Sequence, residues 1–393
     1  MAALFAASKG ADTRLLERTD DGGRKILISG GGRCNILPSH VDESRFVTDS
    51  SRHTLQRMVR SWPLREQIAF FETELRLPLV AEAETGKLFP RSQRARDVRD
   101  RLLGCARLKG VQVLTNTLVT RIAPHEAGWI VEREAGEPLR ADAVVLATGG
   151  LSVPRTGSDG RGLEMARQLG HAIHSTYPAL TPLRSTRTGD PLGNLPGVSL
   201  PVTITARSDT HSAHATGGFL FTHEGYSGPA VLDISHVAVR SLADSHRPAA
   251  ITVQWSALDD RAWEDVLRPR ASRTVLSAID AALPHRFAEA LIRAAAIDPH
   301  RQLSQLPRGE RLRLIQLLVR TPLQYTGHEG YKKAEVTGGG VGLGEIDPRT
   351  LESRRHRGLF LCGEMLDAFG PIGGYNFLWA WATGRAAGLG AAR

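Results

Sequence analysis

Cysteine is scarce in this chain of 393 residues, which has only Cys34, Cys105 and Cys362, far apart in the sequence. They form no CxxC pair, so the sequence predicts no disulfide framework, and a reducing, cytoplasmic compartment is expected. No apolar run approaches the ~20 residues that a membrane-spanning helix needs, which argues against a membrane protein. A chain of this length is expected to fold into two or three lobes.

Acidic residues are outnumbered, because the formal net charge is +9 and nearly all of the basic residues are arginine. Such an excess is typical of a solvated surface, and it also suits a protein that binds nucleic acid. No aromatic-basic motif accompanies the charge, so the sequence favours the solvated surface and makes a nucleic-acid partner unlikely. An arginine-rich helix predicted at 93–109 is the one feature that supports RNA binding. Nothing in the sequence indicates an oligomeric state.

The chain lacks a complete GxGxxG turn, although it has what normally follows one. Residues 1–9 are predicted to form a helix that ends at Gly10, and Thr13–Glu17 a short strand that ends in a carboxylate. This order matches the second half of a dinucleotide-binding fingerprint, in which the acid bonds ribose hydroxyls. Glu17 is therefore a candidate ribose ligand. The missing first strand and glycine turn lead us to expect an N-terminally truncated chain that binds its cofactor poorly.

Glycine, by contrast, is abundant and clustered. GRKILISGGGRCN (23–35) places three glycines beside Arg33, a pattern that favours an anion-binding nest. ATGG (147–150) and GLFLCGE (358–364) follow apolar strands, and Gly373-Gly374 opens a helix whose N-terminus favours negative charge. The candidate cofactor ligands in these segments are Arg24, Lys25, Gly31, Gly32, Arg33, Cys34, Asn35, Thr148, Gly149, Gly150, Gly363, Glu364, Gly373, Gly374, Tyr375 and Asn376. Cys34 is either an inert buried residue or a thiol whose pKa Arg33 lowers.

The composition and periodicity of the sequence change twice. From about residue 184, short alternating strands rich in Pro, Gly, Ser and Thr predict a β lobe, whereas 257–320 has helical periodicity. We therefore predict a discontinuous cofactor domain (1–183 and 329–393), an inserted β lobe (184–256 and 321–328) and a helical lobe (257–320).

Five segments together resemble the BaiN-like (YhiN) flavoproteins, a family whose members are also called aminoacetone oxidase family FAD-binding enzymes. They are GRKILISGGGRCN, ATGG followed by TGSDG, FTHEGYSGPAVLDIS (221–235), AEVTGGGV (334–341) and CGEMLDAFGPIGGYNFLWAWATG (362–384). They occur in order along essentially the whole chain.

The resemblance implies an α/β fold. Its Rossmann-type FAD-binding domain would be similar to that of fumarate reductase and would carry an inserted β-barrel-like lobe and a small helical lobe. It also implies a non-covalent FAD, with Glu17 on the adenosine ribose and Val119 near the adenine. Gly149 and Gly150 would then lie on the phosphate side and Glu364 at the ribityl chain. Gly374, Tyr375 and Asn376 would contact the flavin ring.

The expected activity is that of an FAD-dependent oxidoreductase. One hypothesis is an NAD(P)H-linked reductase of an unsaturated, ketone-like small molecule, with NAD(P)H as a transient donor because no second fingerprint is present. The alternatives are an amine oxidase that produces peroxide and a flavoprotein that acts in RNA modification or RNA binding. Tyr375, Glu335 and His328 are the catalytic candidates, since they are the polar residues closest to the last glycine motifs. No metal is expected, because neither HxxH pair (His171/His174, His211/His214) has a third ligand.

Overall fold

The computed structural model describes residues 1–186, 192, 195–244, 247–269 and 273–393, so short parts of the two predicted lobes lie outside the described residues. The chain forms two compact units, and the second, residues 178–335, is inserted into the first, residues 1–177 and 336–393. Each unit has its own core of buried apolar side chains. The further division of the second unit into a β lobe and a helical lobe stays a prediction.

The N-terminal part of the chain alternates short strands with helices. Its helices are α1 (Ala2–Ala7), α2 (Arg24–Ile28), α3 (Arg52–Arg60), α4 (Leu64–Ala69), α5 (Ala95–Leu108) and α6 (Arg161–Gln168). Its strands are β1 (Arg14–Leu16), β2 (Leu37–Pro38), β3 (Leu79–Glu82), β4 (Lys87–Pro90), β5 (Gln112–Leu114), β6 (Val119–His125), β7 (Gly128–Arg133), β8 (Leu139–Ala141), β9 (Val144–Leu146) and β10 (Ile173–Ala179).

The inserted unit begins with short strands and continues with helices. Its strands are β11 (Leu183–Arg184), β12 (Ser199–Arg207), β13 (Ser212–Phe221), β14 (Gly225–Ser227), β15 (Ala250–Gln254), β16 (Thr321–Pro322) and β17 (Gly327–His328). Its helices are α7 (Pro229–Asp244), α8 (Asp260–Val266), α9 (Val275–Ile279), α10 (His285–Ala294) and α11 (Arg308–Arg320). The chain then returns to the first unit with β18 (Val336–Val341), β19 (Leu359–Leu361) and α12 (Tyr375–Ala391).

Within the described residues of the second unit, seven strands form one antiparallel sheet in the order β16-β15-β12-β13-β14-β11-β17. Along β12 (Ser199–Arg207), buried residues alternate with more exposed ones, which is the pattern expected where one face of a sheet packs on a core. The alternation of apolar and polar residues in the sequence therefore predicted strands in this region correctly.

The first unit contains two short pairs of parallel strands, β1 with β5 and β9 with β19. Within the described residues the two pairs are separate sheets, since no ladder joins one to the other. Around them lie the antiparallel meander β6-β7-β8 and the small sheet β2-β4-β3, while α1 and α12 pack closely together. A side chain at Gly388 of α12 would collide with the backbone of Ala2, which explains the run of small residues at this end of α12.

His171 is a buried ionisable residue that follows α6. Its Nδ1 lies 3.1 Å from the carbonyl oxygen of Ala166, and its Nε2 lies 2.8 Å from the hydroxyl of Ser353. A carbonyl can only accept, so Nδ1 carries the proton and Nε2 accepts from Ser353. Burial lowers the pKa of His171, although its bond to the Ala166 carbonyl opposes the shift. The folded protein therefore holds this ring neutral.

We expect the stability of the protein to fall as the pH drops below about 6.5, because the unfolded chain then binds a proton that folded His171 resists. His171→Gln should weaken this dependence, so that the variant is less stable than the native protein at neutral pH but loses less on acidification. His285→Gln is the control. Asp280 raises the pKa of His285, so losing that imidazole should change the slope in the opposite direction. Thermal midpoints across this pH range measure both slopes, and an unchanged slope in His171→Gln would contradict the assignment.

Candidate functional site

Two glycine turns lie at one edge of the parallel pair β9–β19. Ala147 to Gly150 follow β9, and Cys362 to Glu364 follow β19. Because the strands are parallel, their carboxyl ends meet at the same edge, where α/β proteins bind their ligands. Gly149 and Gly363 have φ values of +72° and +77°, which glycine adopts without strain.

Glu364 is the centre of a group of polar side chains that we call the Glu364 cluster: Lys25, Ser152, Thr337 and Glu364. The Ser152 hydroxyl donates to Glu364 Oε1 at 2.6 Å, and the backbone N–H and hydroxyl of Thr337 donate to the same oxygen at 3.0 Å each. Lys25 of α2 forms an ion pair with the other oxygen, Oε2, and donates to Ser152 Oγ at 2.5 Å. The cluster joins residues that are distant in sequence into one half-buried, charged site.

Gly150 is the residue that allows the cluster to close. A Cβ at this position would lie 2.3 Å from Thr337 Oγ1 and 3.0 Å from Glu364 Oε1. The N–H groups of Leu151 and Ser152 donate to the same Thr337 hydroxyl at 2.7 Å and 3.2 Å. Close backbone approach is therefore built into the turn after β9.

The N-terminus of α12 contributes a positive helix end. Gly374 caps the helix with φ +93°, and a Cβ there would lie 2.5 Å from the carbonyl carbon of Leu37. Trp379 Nε1 donates to Gly363 O at 3.0 Å, so the helix packs on the turn that carries Glu364. The first N–H groups of a helix have no partner within it, and they favour an anionic or electron-rich ligand.

The side chains of Tyr375 and Asn376 are engaged by the protein itself. The Tyr375 hydroxyl donates to His40 O at 3.3 Å and accepts from the N–H of Asp42 at 3.2 Å. Asn376 accepts from the N–H of Gly370 and donates to its carbonyl, both at 2.9 Å. These contacts favour a positioning role for both side chains, so that a ligand would meet their backbone N–H groups.

Asp367 is a buried acid near the candidate site that sequence reasoning missed. It is 2% exposed, and its Oδ2 accepts from the hydroxyls of Thr48 and Ser50 and from the N–H of Asp49, at 2.8–3.0 Å. His174 Nε2 lies 3.7 Å from the same oxygen. Asp367 thereby ties the loop between β19 and α12 to the segment before α3. Ser152 and Thr337 were missed as well, although Thr337 lies within the quoted motif AEVTGGGV.

The glycine segment 23–35, for which an anion-binding nest of backbone N–H groups stays a prediction, has its arginines paired with acids. It forms α2 and a 3₁₀ turn, in which Gly30 and Gly31 have positive φ. Arg33 pairs with Glu82 at 3.0 Å and covers the ring of Phe89, so a counter-ion already neutralises it. Arg24 likewise pairs with Asp21 at 2.9 Å and also with Asp20.

Cys34, next to Arg33, is fully buried, and burial raises the pKa of its thiol to about 12. The interpretation as a low-pKa thiol is therefore wrong, because desolvation outweighs any effect of the neighbouring guanidinium. Gly31 and Gly32 remain open, since a Cβ on either meets no atom of the described structure within 4 Å.

The other predicted ligands occupy strand ends of the first unit. Glu17 follows β1, and its Oε1 accepts from the N–H and hydroxyl of Thr19 at 2.8 Å and 2.7 Å. Val119 begins β6 opposite Arg133. Thr148, in the turn after β9, packs against the first turn of α6, where a Cβ on Gly162 would come within 1.9 Å of the Thr148 hydroxyl oxygen.

His328 and Glu335 belong to the second unit, whereas Tyr375 belongs to the first. His328 lies in β17, where its Nδ1 accepts from the N–H of Gly330 at 3.1 Å. Burial and the nearby Arg184 lower the pKa of His328, so its imidazole is neutral at neutral pH. The N–H of Glu335 donates to Leu180 O at 3.1 Å.

The residues of the first unit fit a dinucleotide. Two glycine turns, a positive helix end and Lys25 suit its phosphates and an electron-rich ring, while Glu17 and Glu364 suit hydroxyl groups. A search of the described residues finds no group of three or more His, Cys, Asp or Glu side chains arranged for a metal. No described helix is long and apolar enough to cross a membrane.

Comparisons with known proteins give the family of this chain. Residues 1–390 match the family model described as "HI0933-like protein Rossmann domain". The chain is 30% identical to the 3-dehydro-bile acid delta(4,6)-reductase of Clostridium scindens, over 100% of this chain and 96% of the relative. It is 31% identical to the ribosomal RNA dihydrouridine synthase of Escherichia coli, over 96% and 92%.

Among solved structures, the 3-ketosteroid delta1-dehydrogenase of Sterolibacterium denitrificans aligns with 100% of this chain and 96% of its own, at a TM-score of 0.51. At 13% identity, this likeness concerns the fold alone. The family match and the shared fold confirm the predicted α/β Rossmann-type architecture.

Proposed function

As a member of the HI0933-like Rossmann family, this chain is a flavin-dependent oxidoreductase, and we propose that it reduces a carbon–carbon double bond conjugated to a carbonyl group. The names of the two relatives support this reaction class. One is a delta(4,6)-reductase of a 3-dehydro bile acid, and the other forms dihydrouridine. Uridine and a bile-acid enone share one reactive element, a double bond whose far carbon accepts hydride because a carbonyl takes up the charge.

The observation that carries the proposal is the Glu364 cluster, which lies at the carboxyl edge of β9–β19 beside the turn on which α12 packs. FAD, when bound, supplies the hydride chemistry of its N5 atom. In our assignment Glu17 bonds the adenosine ribose, Val119 lies near the adenine, and Gly149 and Gly150 face the phosphates. Glu364 bonds the ribityl hydroxyls, and Lys25 balances its charge.

The N-terminus of α12 is assigned to the flavin ring, through Gly373, Gly374 and the backbone N–H groups of Tyr375 and Asn376. A positive helix end in this place stabilises negative charge that develops on the ring. The roles of Tyr375, Glu335 and His328 in proton transfer stay a prediction, and the Tyr375 hydroxyl already bonds to the backbone of His40 and Asp42.

The electron donor separates this proposal from its main alternative. A reductase consumes NAD(P)H, which would enter transiently because the sequence has no second nucleotide fingerprint. An amine oxidase instead passes electrons from an amine to oxygen.

The test measures NAD(P)H consumption and peroxide formation on the flavin-loaded protein, with an enone, uridine-containing RNA or aminoacetone as substrate. We expect NAD(P)H oxidation that depends on the enone or the RNA and produces little peroxide. Peroxide formed in proportion to an added amine would overturn the proposal.

A further inference from the structure

Three arginines surround a pocket on the first unit that is separate from the Glu364 cluster. Arg76 comes from the turn before β3, Arg91 from the turn after β4, and Arg101 from α5, and all three are exposed. They line a cavity of about 440 Å³ together with Ser92, Asp97 and Asp100. We call this cavity the Arg76 pocket.

The three guanidinium groups have no ion pair or side-chain hydrogen bond in the described structure, in contrast to Arg24 and Arg33. Asp100 does not neutralise them, because it pairs with the buried Arg99 at 2.5 Å. Of the two acids that line the pocket, only Asp97 has no ion-pair partner in the described structure. Its one negative charge faces the three positive charges of the arginines. The pocket therefore keeps a net positive charge that the protein does not use internally.

The backbone around the pocket is strained in two places. Arg76 and Gln93 have φ values of +50° and +56°, a region that residues with long side chains rarely adopt. Such strain is commonly retained where it positions a functional group. The N–H of Arg91 donates to Pro78 O at 2.8 Å, which holds the two loops side by side.

The charge extends beyond the pocket along α5. Seven basic and two acidic residues lie between Arg91 and Lys109, and the whole chain has an isoelectric point near 9.9. A single phosphate carries too little negative charge to neutralise all three guanidinium groups. A polyanion presents several phosphates and can bind all three. Leu77 and Pro78 are the apolar residues of the lining, and the other six are charged or polar.

We propose that the Arg76 pocket binds the ribose–phosphate backbone of RNA, an inference that rests on the proposed function in taking uracil within RNA as the substrate. The three arginines would hold successive phosphates. Asp97 and Ser92 would bond ribose 2′-hydroxyls, which distinguish RNA from DNA. This assignment replaces the expectation from sequence that arginine here is only a solvated surface.

The test is the binding of a fluorescein-labelled, uridine-rich single-stranded RNA to the flavin-loaded protein, followed by fluorescence anisotropy over a range of salt concentrations. The variant Arg76→Gln/Arg91→Gln/Arg101→Gln should bind at least about tenfold more weakly at moderate salt. Its salt slope should be smaller by about 2, since each single-strand phosphate contact contributes about 0.7.

The control Arg57→Gln/Arg65→Gln/Arg140→Gln removes the same charge from exposed arginines of the same unit, which likewise have no ion pair or side-chain hydrogen bond in the described structure. It should change the affinity less than about threefold. Equal losses in the two variants, no loss in the first, or no binding by the native protein at low salt would overturn the proposal. Equal affinity for polyglutamate would also overturn it, in favour of an acidic protein partner.

DNA of the same sequence should bind more weakly, and equal binding would refute the roles of Asp97 and Ser92. Reduction of a free enone should be the same in the native protein and in the pocket variant. If neither protein reduces any substrate while RNA binding still depends on the pocket, the proposed reaction fails and the RNA surface stands.

Discussion

Gly374→Ala should abolish flavin retention and destabilise the protein by about 2–5 kcal/mol. Two costs add: an alanine at φ +93° loses about 1–2 kcal/mol, and its Cβ would lie 2.5 Å from the Leu37 backbone, where overpacking costs about 1–3 kcal/mol. The helix must then move away from the turn that carries Glu364. Flavin absorbance per chain and urea unfolding measure the two effects.

Gly373→Ala is the matched control for this variant. Its φ of +122° is strained as well, but a Cβ there meets no atom of the described structure within 4 Å. It should lose only the backbone cost, about 1–2 kcal/mol. If the two variants lose the same free energy of unfolding, close packing at Gly374 does not position the site.

Glu364→Ala is the second substitution with a large expected effect. It leaves the Lys25 ammonium without its anion and removes the acceptor of three hydrogen bonds. A fully buried pair broken in this way costs about 3–5 kcal/mol, and we expect about 2–3 kcal/mol here because Lys25 is 29% exposed. The flavin content of the purified protein should fall at least tenfold.

A double variant separates the two roles of Glu364. Lys25→Met/Glu364→Leu removes both charges, so it should recover part of the stability but none of the flavin. Glu82→Gln, which breaks the exposed pair with Arg33, should cost less than about 1 kcal/mol and leave the flavin in place. Full flavin content in Glu364→Ala would show that this carboxylate does not bind the cofactor.

The sequence predicted the parts of the site that depend on local pattern. An apolar strand followed by glycine marks a buried strand end, so the turns after β9 and β19 and the helix start at Gly374 were all predicted. Lys25 was among the candidates, but its pairing with Glu364 depends on folding across the whole chain. Asp367 gave no signal, because an acid in a loop is usually solvated and only its burial reveals its role.

The pairing of charges depends on the fold more than on local sequence pattern. Arg24 and Arg33 lie in the motif that suggested an anion nest, yet acidic neighbours pair with both. Arg101 lies in the helix that was predicted to be arginine-rich, but only the fold brings it together with Arg76 and Arg91, and none of the three has an ion pair in the described structure. Whether an arginine is available to a ligand depends on its neighbours in space, which one-dimensional patterns do not report.

The most direct test of the central claim is a single turnover without oxygen. The flavin-loaded protein is reduced, freed of reductant and mixed with an enone or with uridine-containing RNA, and the flavin absorbance is followed. We predict that the oxidised flavin returns and that a saturated product forms, one molecule for each flavin. A flavin that stays reduced with every conjugated substrate and is reoxidised only by oxygen would contradict the claim.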